Sequence, residues 1–565
     1  MHDEFTHEPR VAYFSMEIAL HNEIATYSGG LGVLAGDTIR TAADLELPMV
    51  ALTLVSHYGY FRQEINADGR QIEHPHNWDP AQWAEPLTAR VALTIEGRTV
   101  WVGGWLYVLE GHMNGRQPVI LLDTDFGDNH PDDRAISYHL YGGDEAYRFK
   151  QELVLGVGGM RLLRALDFKL RQYHMNEGHS ALLSLELLRR YAYPAEDLRP
   201  GESPYDLPRV RELCCFTTHT PVEAGHDRFS YELVDSIMGP LVDKATLKQL
   251  AGQDSLNMTR LALNLSEYVN GVAKRHAEVS RTMFPGYRVH AVTNGVHPFT
   301  WAGDSFRELF NTHFPGWCHE PELLLRADCC IPDQLILNAH RQCKQQLLEK
   351  VSMLTSVRLD PDKLTLGFAR RMTAYKRPDL LFSDLARLKA LARRWPLQVV
   401  LAGKAHPQDE SGKQLIELLH RHMHELADDI AIAYLPDYGL DIARTMVGGV
   451  DVWLNTPLRP FEASGTSGMK AAINGVPNLS VLDGWWVEGC IEGITGWAVG
   501  DSEKVDNGDD AVSLYDKLEN KVMPLFYAED RAGWVAVMKG AIARNAAVFN
   551  SHRMMRRYAT EAYIR

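Results

Sequence analysis

The sequence predicts an α/β fold with mostly parallel sheets, built as two doubly wound halves around a cleft. Three observations point there. Short apolar runs alternate with amphipathic helical stretches along the whole chain. The alternation comes in two series of similar size, parted near Thr293-Asn294-Gly295-Val296-His297-Pro298. The 565 residues, 45% hydrophobic and 23% charged, have the composition of a globular protein and exceed what one core serves.

In the first series, Arg10–Ser15, Pro48–Leu54, Val119–Leu122 and Glu212–Thr217 are short, apolar and rich in β-formers, so they read as strands. Val33–Leu45 reads as a helix opened by a glycine-rich turn, and Glu145–Ala165 as a long helix. In the second series, Leu364–Ala369, Gln398–Ala402, Ala431–Leu435, Val452–Asn455 and Pro477–Val481 read as strands separated by helical segments. Asp333–Val351 is a strongly amphipathic helix expected at the join, and Ala528–Arg565 reads as terminal helices. The expected division is 1–297, 298–535, and helices over 536–565 that pack back on the first half. Ligands of such folds lie at the carboxyl ends of the strands.

Several classes are excluded at the outset. Charges interrupt every apolar run before it reaches the length of a membrane span, and acidic residues precede the first apolar run, unlike a signal peptide. The seven cysteines are odd in number and show no CxxC spacing, which argues against a disulfide framework or zinc site and for a reducing cytoplasm. A net charge of −15 argues against nonspecific nucleic-acid binding and makes any local basic cluster informative. No phosphate loop with a Gly-Lys-Ser/Thr end, no HExxH and no GxSxG occurs.

The segment Phe461–Gly475 (FEASGTSGMKAAING) carries the most chemistry. It sets Lys470 just inside a helix start, after a run of Ser, Thr and Gly that offers N–H groups and hydroxyls to an anion. Such a lysine fits either of two uses, holding a phosphate as a point charge or forming a Schiff base with a phosphate-bearing aldehyde. Tyr27–Asp37 (YSGGLGVLAGD) is a glycine loop that opens a helix, suited to phosphate or sugar contact and equally to a tight connection. Arg370–Arg377 (RRMTAYKR) follows a strand, and Arg371 and Lys376 converge if the chain turns into a helix between them. A salt-bridged helix start would read the same way. Strand ends at Asn176-Glu177-Gly178-His179, Thr218-His219-Thr220 and Thr293-Asn294-Gly295 could line a cleft with donors, or could be buried structural hydrogen bonds. Glu462 could accept bonds from a sugar or cap its own loop.

Taken together, YSGGLGVLAGD, NEGHS, THT, VNGVA, TNGVHP, RRMTAYKR, AGKA and EASGTSGMKAAING resemble, in order, the motifs of the α-glucan phosphorylases (glycogen, starch and maltodextrin phosphorylases). VAYFSMEIALHNE and SVLDGWWVEG look like the short bacterial and archaeal branch. The resemblance implies a glycosyltransferase-B fold, two Rossmann-like domains around a central cleft. It implies pyridoxal 5'-phosphate held as a Schiff base at Lys470, with Thr466, Ser467, Arg370 and Gly30 at its phosphate and Tyr438 at its ring. It places Arg371 and Lys376 at the substrate phosphate. The backbone carbonyl of His219 is placed at the anomeric carbon, and Leu31, Asp144, Asn294, Glu462, Ser464 and Gly465 at the glucan. The implied reaction is reversible phosphorolysis of a terminal α-1,4-glucosidic bond to glucose 1-phosphate with retention, without metal. It fits the lack of an evident pair of catalytic carboxylates. Family members usually form dimers.

The chain departs from the long enzymes in reading TSGMK for TGNMK, in Gly439 after Tyr438 where they carry arginine, and in Thr373-Ala374 for a His-Glu pair. It begins close to its first core strand, so phosphorylation and nucleotide control through an N-terminal extension are not expected. The competing reading is a nucleotide-sugar glucosyltransferase of the glycogen-synthase kind on the same fold, which needs no Schiff-base lysine. A catalytically silent glucan-binding protein would lack Lys470, Arg371 or Lys376, and all three are present.

Overall fold

A computed structural model describes residues 2–500 and 507–564; Arg565, the last residue of the expected terminal helices, lies outside them. Two large sheets organise the chain. Across the first, the parallel strands run Arg116–Asp123, Met49–Leu54, Arg10–Ser15, Leu170–Asn176, Cys214–Thr217, Tyr268–Gly271 and His290–Ala291. Across the second they run Ala431–Leu435, Leu397–Ala402, Leu364–Ala369, Val452–Asn455, Asn478–Val481 and Gly496–Val499. Counted within each half, both sheets follow the doubly wound order 3-2-1-4-5-6, the first with one more parallel strand at its edge. The switch points therefore fall between Arg10–Ser15 and Leu170–Asn176, and between Leu364–Ala369 and Val452–Asn455.

Helices cover both faces, so the central strands are buried along their whole length, as in Met49–Leu54 and Leu364–Ala369. The expected Glu145–Ala165 helix runs unbroken as Glu145–Leu153, a π turn over Val154–Gly158, and Gly159–Ala165. The join helix Asp333–Leu354 buries Ile336, Cys343, Leu347 and Val351 on one stripe. His340 Nε2 and Lys344 Nζ on that helix pair with buried Asp451 at 2.9 and 2.7 Å.

The outer strands Tyr268–Gly271, His290–Ala291 and Gly496–Val499 were not read from the sequence, and neither were two larger features. The first sheet continues beyond Arg116–Asp123 as antiparallel strands, chiefly Arg98–Glu110 and Val91–Ile95. Leu170–Asn176 is a central strand despite its polar residues. Its His174 bonds Tyr563 Oη at 2.6 Å and Thr217 Oγ1 at 2.9 Å, and Gln172 Nε2 donates to the carbonyls of Glu212 and Ala562. Those partners come from the terminal helices, the neighbouring strand Cys214–Thr217 and the helix Leu207–Leu213 that leads into it. Met554, Met555, Tyr558 and Tyr563 pack with Val11, Tyr13 and the helix Gly30–Asp44 in one core cluster. Among the described residues no helix is long and apolar enough to cross a membrane.

Candidate active site

The second switch point gathers the basic and lysine segments. Strand Leu364–Ala369 delivers Arg370 and Arg371, and strand Val452–Asn455 leads through Pro460 into Glu462–Thr466. Thr466 is the N-cap of the short helix Ser467–Ala472, its side chain free of any capping bond, and its carbonyl accepts the Lys470 N–H at 3.1 Å. Ser467 Oγ accepts from Trp453 Nε1 at 3.0 Å, fixing the first turn to the adjacent strand.

Lys470 is buried, and among the described residues its Nζ makes no hydrogen bond or ion pair. The ammonium sits 4.0 Å from the centre of the Trp301 ring. Burial pushes its pKa down to about 8, with Asp37 opposing and Arg370 assisting. A buried amine that shares no proton is costly structurally and suited to attack on a carbonyl. Asn474 locks it in place: Nδ2 donates to the carbonyls of Trp301 (2.9 Å) and Lys470 (3.0 Å).

Glu462 is the hub of the cations. Its Oε2 accepts Arg370 Nη1 at 2.7 Å and Lys376 Nζ at 2.5 Å. Although burial raises its pKa, those two cations hold it down to about 2. Arg371 lies apart from this cluster. It is open to solvent, and among the described residues it has no hydrogen-bond or ion-pair partner. A Cβ added at Gly29 would lie 3.6 Å from its Nη2, so the guanidinium reaches across to the glycine loop of the first half. Although the side chain reaches solvent, the protein packed around it removes part of its hydration and opposes its charge, while Tyr60, Glu17, Tyr375 and Tyr141 hold its pKa above the ordinary value. Arg371 and Lys376 thus share no partner, while Arg370 and Lys376 do. Arg377 is structural: it donates to the carbonyls of Thr456 and Pro457 and pairs with Asp510.

On the first half the glycine helix begins at Gly30, three residues before the expected start, with Gly29 as N-cap. Glu17 occupies the amides before it, accepting Ser28 N–H (2.6 Å), Gly29 N–H (3.0 Å) and Tyr141 O–H (3.1 Å). The orphan donors left at this helix end are those of Gly30, half-buried Leu31 and buried Gly32. A Cβ at Gly32 would fall 2.8 Å from Glu17 Oε2 and 2.7 Å from Tyr27 Cβ, so this close approach requires glycine. His219 donates its backbone N–H to Glu177 Oε2 and pairs through Nε2 with Asn176 Oδ1, both at 2.7 Å. Burial pushes its pKa to about 3, so the imidazole is neutral. Asn294 is held by its N–H on the Val272 carbonyl and by Arg553 on its own carbonyl, leaving a buried Oδ1 with no hydrogen bond. Asp144 is exposed and caps helix Glu145–Leu153 through the Tyr147 N–H at 2.9 Å. Burial raises the Tyr438 pKa, with Arg370 opposing.

A small pocket is lined by Arg370, Asn455, Glu462, Ser464, Gly465 and Asp483. Asp483 and Glu17 are the site residues that sequence reasoning missed. Asp483 Oδ2 accepts the Glu462 N–H and its Oδ1 the Gly484 N–H, each at 2.9 Å. Burial, with Glu462 nearby, pushes Asp483 up to about 6. The available signal was position: each acid follows the end of a strand, Asn478–Val481 and Arg10–Ser15.

The family model described as carbohydrate phosphorylase matches residues 222–496. The chain is 39% identical to maltodextrin phosphorylase of Thermococcus litoralis, over 98% of this chain and 70% of that protein. It is 35% identical to glycogen phosphorylase of Aquifex aeolicus (99% and 87%) and 35% identical to glycogen phosphorylase of Mycobacterium tuberculosis (98% and 70%).

Proposed function

Because the chain belongs to the carbohydrate phosphorylase family, we propose that it catalyses the reversible phosphorolysis of terminal α-1,4-glucosidic bonds of an α-glucan, releasing glucose 1-phosphate with retained configuration. The observation that carries this reading is the buried Lys470 amine, without a hydrogen-bond or ion-pair partner among the described residues, under the influence of Arg370, which shares Glu462 with Lys376. A nucleotide-sugar transferase has no use for such an amine.

These residues fit pyridoxal 5'-phosphate. The lysine is lowered in pKa and packed on an indole, and the hydroxyl of Thr466 makes no cap bond. Lys470 would hold the cofactor covalently, with Arg370, Thr466, Ser467 and Gly30 at its phosphate and Tyr438 at its ring. When bound, the cofactor supplies a second phosphate as acid–base partner to the substrate phosphate. Two adjacent phosphates repel, so the cations of this otherwise acidic chain are needed to hold them together.

Arg371, which has no partner among the described residues, receives the substrate phosphate, and Lys376 turns to it from Glu462. The substrate phosphate gives its proton to the leaving glycosidic oxygen, and its oxygen then bonds the anomeric carbon. The His219 carbonyl faces the positive charge that develops between those events. Its ring is held by Asn176 and Glu177 holds its backbone, so the carbonyl is pre-oriented. Leu31, Asn294, Glu462, Ser464 and Gly465 bind the terminal glucose, with the Asn294 Oδ1 available to a sugar hydroxyl. Asp144, at the start of its helix, lies at the glucan side of the cleft.

The reading includes a glycosyltransferase-B arrangement with domains over 1–297 and 298–535 and helices over 536–565. The matching doubly wound orders of the two sheets support it. It also includes a homodimer acting in the cytoplasm, and the seven free cysteines suit a reducing compartment.

The test is phosphate-dependent release of glucose 1-phosphate from maltodextrin and glycogen. It is paired with borohydride fixation of pyridoxal phosphate and peptide mapping. Release that depends on phosphate, with label at Lys470, is expected. Transfer from a nucleotide sugar without phosphate dependence would replace this reading with the synthase one.

A further inference from the structure

Asp37 lies on the glycine helix Gly30–Asp44 and is buried. Its Oδ2 accepts Trp301 Nε1 at 2.8 Å and the His297 N–H at 3.2 Å. Its Oδ1 is buried and makes no hydrogen bond. The nearest cation to that oxygen is Arg40 Nη1 at 3.8 Å on the same helix, and Arg40 is committed through Nη2 to the Leu20 carbonyl at 2.6 Å. On the other side of Trp301 stands Lys470, its Nζ 4.0 Å from the ring centre. The indole therefore has a carboxylate on its N–H edge and an ammonium on its face. A carboxylate accepting the indole N–H pushes electron density into the ring and strengthens its hold on a cation. Both side chains are buried, so the two charges also attract directly.

We propose that Asp37 is the positioning residue for the Lys470 amine: acting through the Trp301 indole, it holds that amine over the ring face and sets its affinity for a proton. This assignment rests on the reading of Lys470 as the carbonyl-reactive lysine. The other charged groups around the pair are few. Arg370 faces Lys470 from the second sheet and disfavours its charge. Arg40 faces Asp37 from its own helix. The His297 ring turns away to pair with Asp44 at 2.8 Å and stacks on His552 of the terminal helix. Neither Arg370 nor Arg40 can supply what Asp37 does, because both carry the same sign as the amine.

Two variants of the full chain separate charge from structure. Asp37→Asn keeps an acceptor for Trp301 Nε1 and the His297 N–H but removes the charge. Trp301→Phe keeps a ring face and removes the N–H that couples it to Asp37. The readout is the pH midpoint of reductive methylation by formaldehyde and borohydride at the Lys470 peptide, followed by mass spectrometry in the chain freed of pyridoxal phosphate. Asp37→Asn should move the midpoint down by about one pH unit, a roughly tenfold gain in neutral amine at a given pH. Trp301→Phe should move it in the same direction by less. A purely structural role would raise labelling at every pH without moving the midpoint. Midpoints unchanged in both variants would overturn the proposal; if Asp37→Asn does not fold, Trp301→Phe decides it. Adding pyridoxal phosphate to the unaltered chain tests the parent reading separately. Failure of covalent loading there, with the midpoint shift intact, sinks the reading of Lys470 but not its coupling to Asp37.

Discussion

Lys470 carries its charge at a cost, because burial draws its pKa from 10.5 to about 8. The folded chain then binds fewer protons than the unfolded one between those values, so stability rises with pH in that window. The penalty is full below about pH 8 and fades as pH climbs toward the unfolded pKa; the shift is worth on the order of 3 kcal/mol. Lys470→Met in the chain freed of cofactor should therefore be more stable than the parent at pH 7, with the gap narrowing by pH 10. Urea midpoints at the two pH values measure it, and a gap that ignores pH would refute the burial argument. Lys376→Ala tests the phosphate side. It removes one of two cations on Glu462 while leaving Arg370 in place. Turnover should fall on the order of a hundredfold, as for loss of a donor that meets developing charge, with bound cofactor unchanged. Unaltered phosphate kinetics would show that Lys376 serves Glu462 alone.

The loop Asp483-Gly484-Trp485 shows what an element contributes beyond its side chains. Gly484 has φ +55°, and a Cβ there would meet the Ser464 carbonyl oxygen at 2.3 Å. That carbonyl accepts the Trp485 N–H at 2.9 Å, while Asp483 holds the Glu462 N–H. Gly484→Ala should thus push the floor of the pocket away from Glu462 and Ser464. A destabilisation of about 1–3 kcal/mol is expected, with a loss of glucan turnover larger than the fall in melting temperature explains. Near-parental kinetics would mean that the loop yields without moving Glu462. Such elements also mark the limit of what sequence conveys. Strands such as Leu364–Ala369 were legible because both faces are buried and the run has a single polar side chain, Thr365. Leu170–Asn176 was not, because its polar groups are satisfied by Tyr563 and Ala562, nearly four hundred residues away in the chain. Lys470 and its cations were legible as motifs. Asp37, Glu17 and Asp483 were not, since a lone acid after a strand or inside a helix looks like any solvated carboxylate until its partners are placed.

At the scale of the whole molecule, the proposed site draws residues from both sheets. Arg371 comes from the second sheet and the glycine loop it faces from the first. The hairpin Arg62–Ile65 and Gln71–His74 leaves the first half and docks on the second at Gly403, whose backbone packs against the Arg370 carbonyl. Two buried glutamines make the joint. Gln63 Nε2 donates to the Gly403 carbonyl at 2.8 Å, and its Oε1 accepts the Asp437 N–H at 2.9 Å. Gln71 exchanges the same pair of bonds with Ala405, each at 3.0 Å. Each side-chain amide thus stands in for a missing strand at the edge of the loops that follow Leu397–Ala402 and Ala431–Leu435. Truncating either residue leaves buried backbone donors and acceptors unpaired, at about 1–3 kcal/mol per group. Because both grip one rigid surface, the double variant Gln63→Ala/Gln71→Ala should lose less stability than the sum of the singles. It should also raise KM for phosphate more than it lowers kcat, since Arg371 would keep its chemistry but lose its registry with the glycine loop. Thermal unfolding and phosphate titration of the two singles and the double decide the matter. A melting temperature that falls while KM for phosphate stays fixed would show that the hairpin holds the halves together without setting the distance across the site.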